Sequence, residues 1–466
     1  MGVAAALPLA LWMWGFTVDD ALISVRYARH LAEGAGYRFN VGEAVTDGVT
    51  PLPWAFLLGP FAGADPMTVL VRAKCLGLGA WLVAAAAWGA AVVRAPAAAW
   101  AKGIAVVVLA LSVPVAAHAV SGMETAVAMA LATCASVASS ARAAACFAGL
   151  AAALRPEMAA WALVLAAVRG LASDGEGKGA SSRSPWERAL LVAIAVGPFA
   201  ACAVARVIAF GRAAPLAVLA KPSDLAHGFA YAVAASVVAL GPIAAAAPFA
   251  YRRAPSPASA IALAGVAHLC AVVAVGGDWM PYARLVAPIV PSLLYAFVLA
   301  APHARTWANA VRGGLALCAG VVLIAMGGTS GRTVSADRVR LVERARPELA
   351  AAHRVAAVDI GWVGAATEAS IVDLAGVTDP TIAVLPGGHT SKHVDASMLL
   401  ERDPDVILLY AATTIDLRAW HGGRYPRALE AYLARSERLA ERYDATAWLP
   451  LGSVGAGYVL LRRLPR

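Results

Sequence analysis

Apolar runs of membrane-spanning or nearly spanning length recur along this chain as far as residue 328. They fall at 3–17, 67–93, 101–120, 123–140, 143–154 with 157–168, 189–209, 229–250, 258–275, 283–301 and 312–328. A helix needs about 20 apolar residues to cross the hydrocarbon core, so these runs fold only where lipid or other helices cover them. The pair 143–154 and 157–168 reads either as two short helices meeting at Arg155-Pro156-Glu157 or as one interrupted span. Taken as two, the spans number about eleven. Composition agrees: of 466 residues 61% are hydrophobic and 14% charged, against about 25% charged in a soluble domain. A soluble globule with so few charges could not cover its surface, and disorder, collagen, coiled coil and a disulfide scaffold are excluded as well. The first run lacks a basic n-region and a small-residue cleavage site, which predicts an uncleaved anchor. Cys75, Cys134, Cys146, Cys202, Cys270 and Cys318 sit in apolar runs without CxxC spacing or a nearby His pair. They read as buried small hydrophobes.

The chain carries 38 Lys and Arg against 29 Asp and Glu, a net charge of +9. The excess lies mainly in one set of alternate loops, holding Arg94 and Lys102, then Arg142, then Arg169, Lys178, Arg183 and Arg188, then Arg252 and Arg253, then Arg305 and Arg312. Basic loops stay cytoplasmic, so the charge is a topology signal. The opposite side then receives the loop 17–66, the turn 121–124, Arg155-Pro156-Glu157, the loop 210–228 and the turn 276–284. An odd number of spans places everything after residue 329 there too. The Gly/Ser-rich stretch 173–185 reads as a flexible cytoplasmic linker.

Beyond 329 the sequence changes character. Strand-like stretches at 354–360, 371–374, 406–410 and 458–461 alternate with amphipathic helical stretches at 337–351 and 426–442. This alternation predicts a small α/β domain. The expected architecture is a polytopic helical body over 1–328, with a long first extracytoplasmic loop at about 17–66, followed by an extracytoplasmic α/β domain over 329–466.

Charged side chains gather on the predicted extracytoplasmic side. Asp19 and Asp20 stand where the first run ends, and two adjacent carboxylates at a membrane boundary are costly unless they meet water, a cation or a reacting group. One of them is suited to cap the helix that begins there, which leaves the other open to catalysis. Glu124 closes the turn Ser121-Gly122-Met123-Glu124. Arg155 and Glu157 flank a proline, suited to pair with each other or, through Arg155, to fork onto a phosphate. Lys221 is the single cation of the apolar stretch 215–221. Asp278, Trp279 and Arg284 share the turn Gly276–Arg284, where Trp and Arg also serve as interfacial anchors. Acids deprotonate a hydroxyl nucleophile and cations hold a phosphate leaving group, so the set suits transfer from a lipid-linked phosphate donor to a hydroxyl acceptor. Span centres hold almost no charge, unlike a transporter's midplane site. In the tail, Asp359, Asp373 and Asp379 read as turn and cap residues, whereas His389, Lys392 and His393 in a Gly-rich loop are candidates for polar contact with an acceptor glycan. No nucleotide motif or nucleic-acid surface is present.

The run FTVDDALISVRYARHLAEGAGYRFNVGEAVTDGVTPLPW resembles the first loop of GT-C-type polyprenyl-phosphate-dependent glycosyltransferases. It is most similar to the branch of mycobacterial terminal β-(1→2)-arabinofuranosyltransferases and their uncharacterised bacterial relatives. SGMET at 121–125, LRPE at 154–157, PLAVLAK at 215–221, GGDWMPYARLVAP at 276–288, DIG at 359–361 and IVDLAGVTDPTIA at 371–383 follow in the same order. The resemblance implies a multi-pass enzyme of the bacterial inner membrane. It would move a sugar, a pentose such as arabinofuranose or a hexose, from a polyprenyl-phosphate donor to a hydroxyl on a cell-envelope glycan, lipid or protein. It makes Asp19 or Asp20 the general base, Arg26, Arg155, Lys221 and Arg284 candidates for the donor phosphate, and Glu124, Glu157, Asp278 and Trp279 candidates for substrate contact. No metal ligands are assigned, although a divalent cation stays open as a cofactor. Where the family often has Asn-Thr-Phe-Tyr, this chain has Leu216-Ala217-Val218-Leu219, so only Lys221 remains there for recognition. The rival readings are a transporter or lipid flippase with a periplasmic accessory domain, and a glycan-binding assembly subunit without catalysis.

Overall fold

Within the described residues the apolar runs fold as helices, the conformation that satisfies every backbone polar group within the segment. The computed structural model describes residues 1–171, 183–240, 253–452 and 455–465. Among these, four helices are long and apolar enough to cross a membrane: Pro66–Arg94, Pro185–Phe210, Ser256–Ala274 and Thr306–Leu349. A fifth is added if Ala99–Ala110 and Val113–Ala119, bent by 53°, form one span. The other apolar helices are shorter, among them Gly2–Trp12, Thr125–Val137, Ala141–Leu154, Met158–Leu171, Leu225–Ala239 and Ala287–His303. Proline accounts for several of the shortened runs, because it removes a donor and biases the preceding residue away from helix. Pro114 opens the second half of the bent pair, and Pro156 separates Ala141–Leu154 from Met158–Leu171, so that pair is two helices. The second half of the 229–250 run and most of the 173–185 linker lie outside the described residues.

The chain forms two compact units. One holds Met1–Phe16, Ala73–Ala205 and Ser223–Arg332; the other holds Thr17–Arg72, Arg206–Pro222 and Thr333–Arg466. In the helical unit the contact faces are lined by small residues, as in Ala144, Ala145, Ala148, Ala151 and Ala152 of helix Ala141–Leu154. Small side chains let helix backbones approach closely where no hydrophobic drive separates protein from lipid. All six cysteines are free thiols, but none is buried as expected: Cys75, Cys146, Cys270 and Cys318 are exposed on the outer faces of the apolar helices and Cys134 and Cys202 are half-buried.

In the mixed unit, β1 (Arg354–Ala357), β2 (Ser370–Asp373), β3 (Val406–Ala411), β4 (Tyr443–Pro450) and β5 (Gly457–Arg463) form one sheet of order β2-β1-β3-β5-β4. β1 pairs in parallel with β2 and β3, while β5 runs antiparallel to β3 and β4. The expected strands are present. The expected helix 426–442 is instead two short helices, Ala428–Ala434 and Glu437–Ala440, and β4 carries no apolar alternation that would announce it, its partly polar pattern suiting an edge. Val355, Ile407, Leu409, Val459 and Leu461 are fully buried at the sheet's centre.

The sheet shares its unit with the first loop. Helix Asp19–Ala32 lies on helix Ile360–Ala366, the crossover between β1 and β2. The approach runs over Gly361 and Gly364: a Cβ on the first would stand 2.1 Å from the Asp19 carbonyl oxygen, and on the second 2.9 Å from Arg26 Cδ. The Asn40 amide pairs with both backbone groups of Ile371, at 2.9 and 3.0 Å, and so finishes the exposed edge of β2.

Arg26 corrects an expectation. The family resemblance makes it a candidate for the donor phosphate, but it is 2% exposed and its guanidinium donates to the carbonyls of Phe39 (2.8 Å), Gly364 (3.1 Å), Thr367 (2.7 Å) and Ala369 (2.9 Å). Burial pulls its pKa down to about 10. Four carbonyls consume its planar fork, so it ties the first loop to the tail. Replacing Arg26 by Met leaves buried carbonyls without donors and should lower stability by about 3 kcal/mol, read as the unfolding midpoint of the purified protein. Arg26→Lys should recover only part, and wild-type stability in Arg26→Met would refute the strut.

Candidate functional site

A buried network of charges and phenols lies beneath the start of helix Asp19–Ala32. Val18, in extended conformation, holds that helix's N-cap position without a side-chain bond, and neither neighbouring acid caps its own helix. Asp19 instead accepts the backbone N–H groups of Gly361 (2.8 Å) and Trp362 (3.0 Å), at the start of Ile360–Ala366. Asp359 is the sequence-adjacent residue for that role, but its carboxylate is taken by Arg427 (2.8 Å) and by the Tyr458 hydroxyl (2.6 Å). A cap is thus supplied across 342 residues of sequence to Gly361 and 343 to Trp362, at amides that would otherwise lack acceptors.

The network extends to Arg338, whose Nη2 stands 4.0 Å from Asp19, and to Glu430, which accepts the Tyr410 N–H at 2.9 Å and lies 3.5 Å from Arg427. Burial pushes the Asp19 carboxyl up to about 6, against the pull of Arg338. Burial also opposes ionisation of Asp359, yet Arg427, Arg338 and the Tyr458 hydroxyl outweigh it, and its carboxyl sits below the usual value. Burial pushes Glu430 up to about 8, and its Oε2 is buried with no hydrogen-bond partner. Two arginines are balanced by two aspartates, which leaves Glu430 favoured in its neutral form near pH 7.

Asp20 differs from Asp19 in its partners, not in its burial. It is half-buried, and no hydrogen-bond donor or cation pairs with it among the described residues. Lys221, just past the short helix Leu216–Ala220 in the same unit, likewise has no acidic partner among them. The strand of loop that separates these elements in sequence is fixed by Arg206, a residue with no motif to single it out. Its Nε donates to Asp47 at 2.7 Å, its Nη2 bonds Thr50, and the Asp47 carbonyl accepts Leu216 N–H at 3.2 Å. In the tail, Asp373 accepts the N–H groups of Ala375, Gly376 and Thr378, and Asp379 caps the turn Pro380–Ala383. Lys392 is turned inward, donating to the carbonyls of Ala383 (2.8 Å) and Leu385 (2.9 Å), so it is not an exposed contact for a glycan.

The helical unit holds a second set. Arg155 donates to Glu124 at 2.8 Å and to Glu157 at 2.7 Å, and all three side chains are buried. The Pro156 break aims Arg155 and Glu157 at one another, and Glu124 enters from its own turn behind Gly122 (φ +82°). Arg284 donates to Asp278 at 2.6 Å. Trp279 is 72% exposed and stacks on His227 with centroids 4.2 Å apart. The turn carries left-handed backbone at Gly276 and Gly277 and also at Tyr282 (φ 60°) and Ala283 (φ 52°). Strain at residues with a Cβ persists only where surrounding contacts impose it; here the Tyr282 hydroxyl donates to the Gly327 carbonyl at 2.6 Å. His118 and His268 are buried nearby in sequence-silent positions, bonding the carbonyls of Pro281 (3.3 Å) and Leu285 (2.6 Å). Every candidate cation of this unit is thus already matched by a carboxylate. Among the described residues no group of three His, Cys, Asp or Glu side chains is placed to hold a metal ion.

Asp19 generates a pH prediction. Its folded pKa is raised, so it binds a proton more tightly folded than unfolded. Its contribution is full below the ordinary carboxylate pKa of 3.8 and is lost as pH rises through about 6. The melting-temperature difference between wild type and Asp19→Asn should therefore shift against the wild type from about pH 4 to about pH 7. A difference that stays constant over that range would show that Asp19 does not titrate there.

Comparison with known proteins adds one finding. Residues 332–458 match a family model described as a domain of unknown function, DUF8728. No curated protein and no solved structure matches the chain.

Proposed function

We propose that this protein is a multi-pass GT-C-type glycosyltransferase of the bacterial inner membrane, with about eleven membrane-embedded helices and its sheet-bearing tail outside the cytoplasm. It moves one sugar from a polyprenyl-phosphate donor to a hydroxyl of a cell-envelope glycan, lipid or protein. The observation that carries this reading is the division of labour between Asp19 and Asp20. One carboxylate is clamped on two amides, and its neighbour is left without a partner at the same helix start. A structural pair would be satisfied twice; a base must keep an oxygen for its substrate.

In this mechanism Asp20 takes the proton of the acceptor hydroxyl as that oxygen bonds to the sugar's anomeric carbon. The bond from that carbon to the phosphate oxygen breaks, and polyprenyl phosphate leaves with the electron pair. Lys221 neutralises the departing phosphate, since Arg26 is spent on carbonyls and Arg155 and Arg284 are matched by acids. Of the residues expected to contact substrate, Glu124, Glu157 and Asp278 are held by Arg155 and Arg284 within the helical unit, and Trp279 is the exposed member.

One observation favours a transporter or flippase instead. The bent helix pair at 110–113, the buried Glu124, Arg155, His118 and His268, and the inward-turned Glu157 side chain resemble the broken helices and interior ionisable groups of transport sites. Turnover separates the two. With a polyprenyl-phosphate sugar and an acceptor, Asp20→Asn should lower transfer by about a hundredfold or more without changing the melting temperature, and Lys221→Met should lower it less. Undiminished transfer in Asp20→Asn would reject the assignment, and transport without transfer would favour the rival. Topology has its own test: a reporter fused after residue 330 should be active only outside the cytoplasm, and cytoplasmic activity would overturn the arrangement.

A further inference from the structure

The loop 384–395 is held with more bonds than a surface connection needs. Lys392 is 2% exposed and anchors it from within through the carbonyls of Ala383 and Leu385. His393 N–H bonds the Pro386 carbonyl at 3.0 Å, Gly388 N–H bonds Ser391 Oγ at 3.0 Å, and Leu429 N–H bonds the Thr390 carbonyl at 3.3 Å. Gly387 adopts φ +96°, and a Cβ there would meet the Ser391 carbonyl oxygen at 2.1 Å. The loop is thus preformed, and with helix Ala428–Ala434 it encloses a cleft of about 510 Å³.

The cleft's lining is chemically specific. Val394 and Leu429 form an apolar floor, and Tyr432, 54% exposed, stands at the rim. Its hydroxyl donates to Asp395 at 3.2 Å, and Ser397 also bonds that carboxylate. These bonds, Ser397 first, hold the Asp395 carboxyl below its usual value, so it is an anionic acceptor. The exposed His393 and the Ser391 hydroxyl complete the polar edge.

We infer that this cleft is a binding subsite for a neutral saccharide, in which a sugar ring lies against Tyr432 and its hydroxyls donate to Asp395. The alternatives fit less well. The ammonium of Lys392 is spent inside the loop, so a rim with a carboxylate repels phosphate or carboxylate ligands. An organic cation would want several aromatic faces around it, and the lining offers one. A flat polyhydroxyl ring needs one aromatic face, an apolar floor and a few placed acceptors, which is the set present. The identity of the ligand as part of the acceptor glycan rests on the glycosyl-transfer reading; the cleft itself does not.

The test uses the full chain in detergent and short arabinofuranosyl and glucopyranosyl oligosaccharides, without donor, with binding followed by saturation-transfer NMR. At least one series should bind. Tyr432→Ala and Asp395→Asn should weaken it by about tenfold or more, and Tyr432→Phe should retain most of it. In transfer assays the two weakened variants should raise the acceptor KM and leave kcat unchanged. Absence of binding by both series, or binding unaffected by Tyr432→Ala and Asp395→Asn with melting temperatures unaltered, would overturn the subsite. Binding without any transfer by the wild type would leave the subsite standing and remove the enzymatic reading.

Discussion

The Asp19 carboxylate on the amides of Gly361 and Trp362 is the contact on which the mixed unit depends. It joins the first loop to the crossover helix of the sheet and, because it takes over a capping role, frees Asp359 for Arg427 and Tyr458. The glycines in Asp359-Ile360-Gly361-Trp362-Val363-Gly364 follow from the same contact, since helix Asp19–Ala32 comes too close for a Cβ at either position. Arg26 extends the joint, and the Asp47–Arg206 pair brings in a third stretch of chain. Buried ion pairs of this kind rarely add much net stability, but removal of one partner is costly. Such a network holds one arrangement of loop and tail against others.

Periodicity and length made part of this legible. The apolar runs appear as helices, and four of the five strands fall where alternation placed them. β4 escaped because an edge strand needs no strong apolar pattern. Helix lengths were overestimated because hydropathy averages over prolines and over Ser112, at which the chain bends. Among site residues, the pairing of Arg155 with Glu157 was visible from spacing, but Glu124 joins them from another turn. Arg338, Arg427 and Glu430 carried no signal, because isolated charges in amphipathic helical stretches look solvent-facing until the fold buries them, and Tyr458 read only as part of a strand.

Arg26 shows how such a reading goes astray. An arginine near two acids at a membrane boundary fits a phosphate site as well as it fits a strut, since both need a planar fork of donors. Only the position of four carbonyls decides, and three of them come from residues more than 330 positions away. The same holds for Asp19, whose partners are supplied by the tail. Adjacent carboxylates in the sequence are equivalent until the fold assigns them unequal surroundings.

That inequality bears on chemistry. A carboxylate that accepts two fixed amides, one on each oxygen, is held in place, while among the described residues its neighbour accepts none. If Asp19 were the base, every proton transfer would change the charge on the carboxylate that holds the amides at the start of helix Ile360–Ala366. With Asp20 as base the joint is undisturbed by proton transfer, and the raised pKa of Asp19 becomes a property of its burial. Rigid support for one acid by another is the economical arrangement, because a catalytic group must be placed to within a fraction of an ångström while remaining free to react.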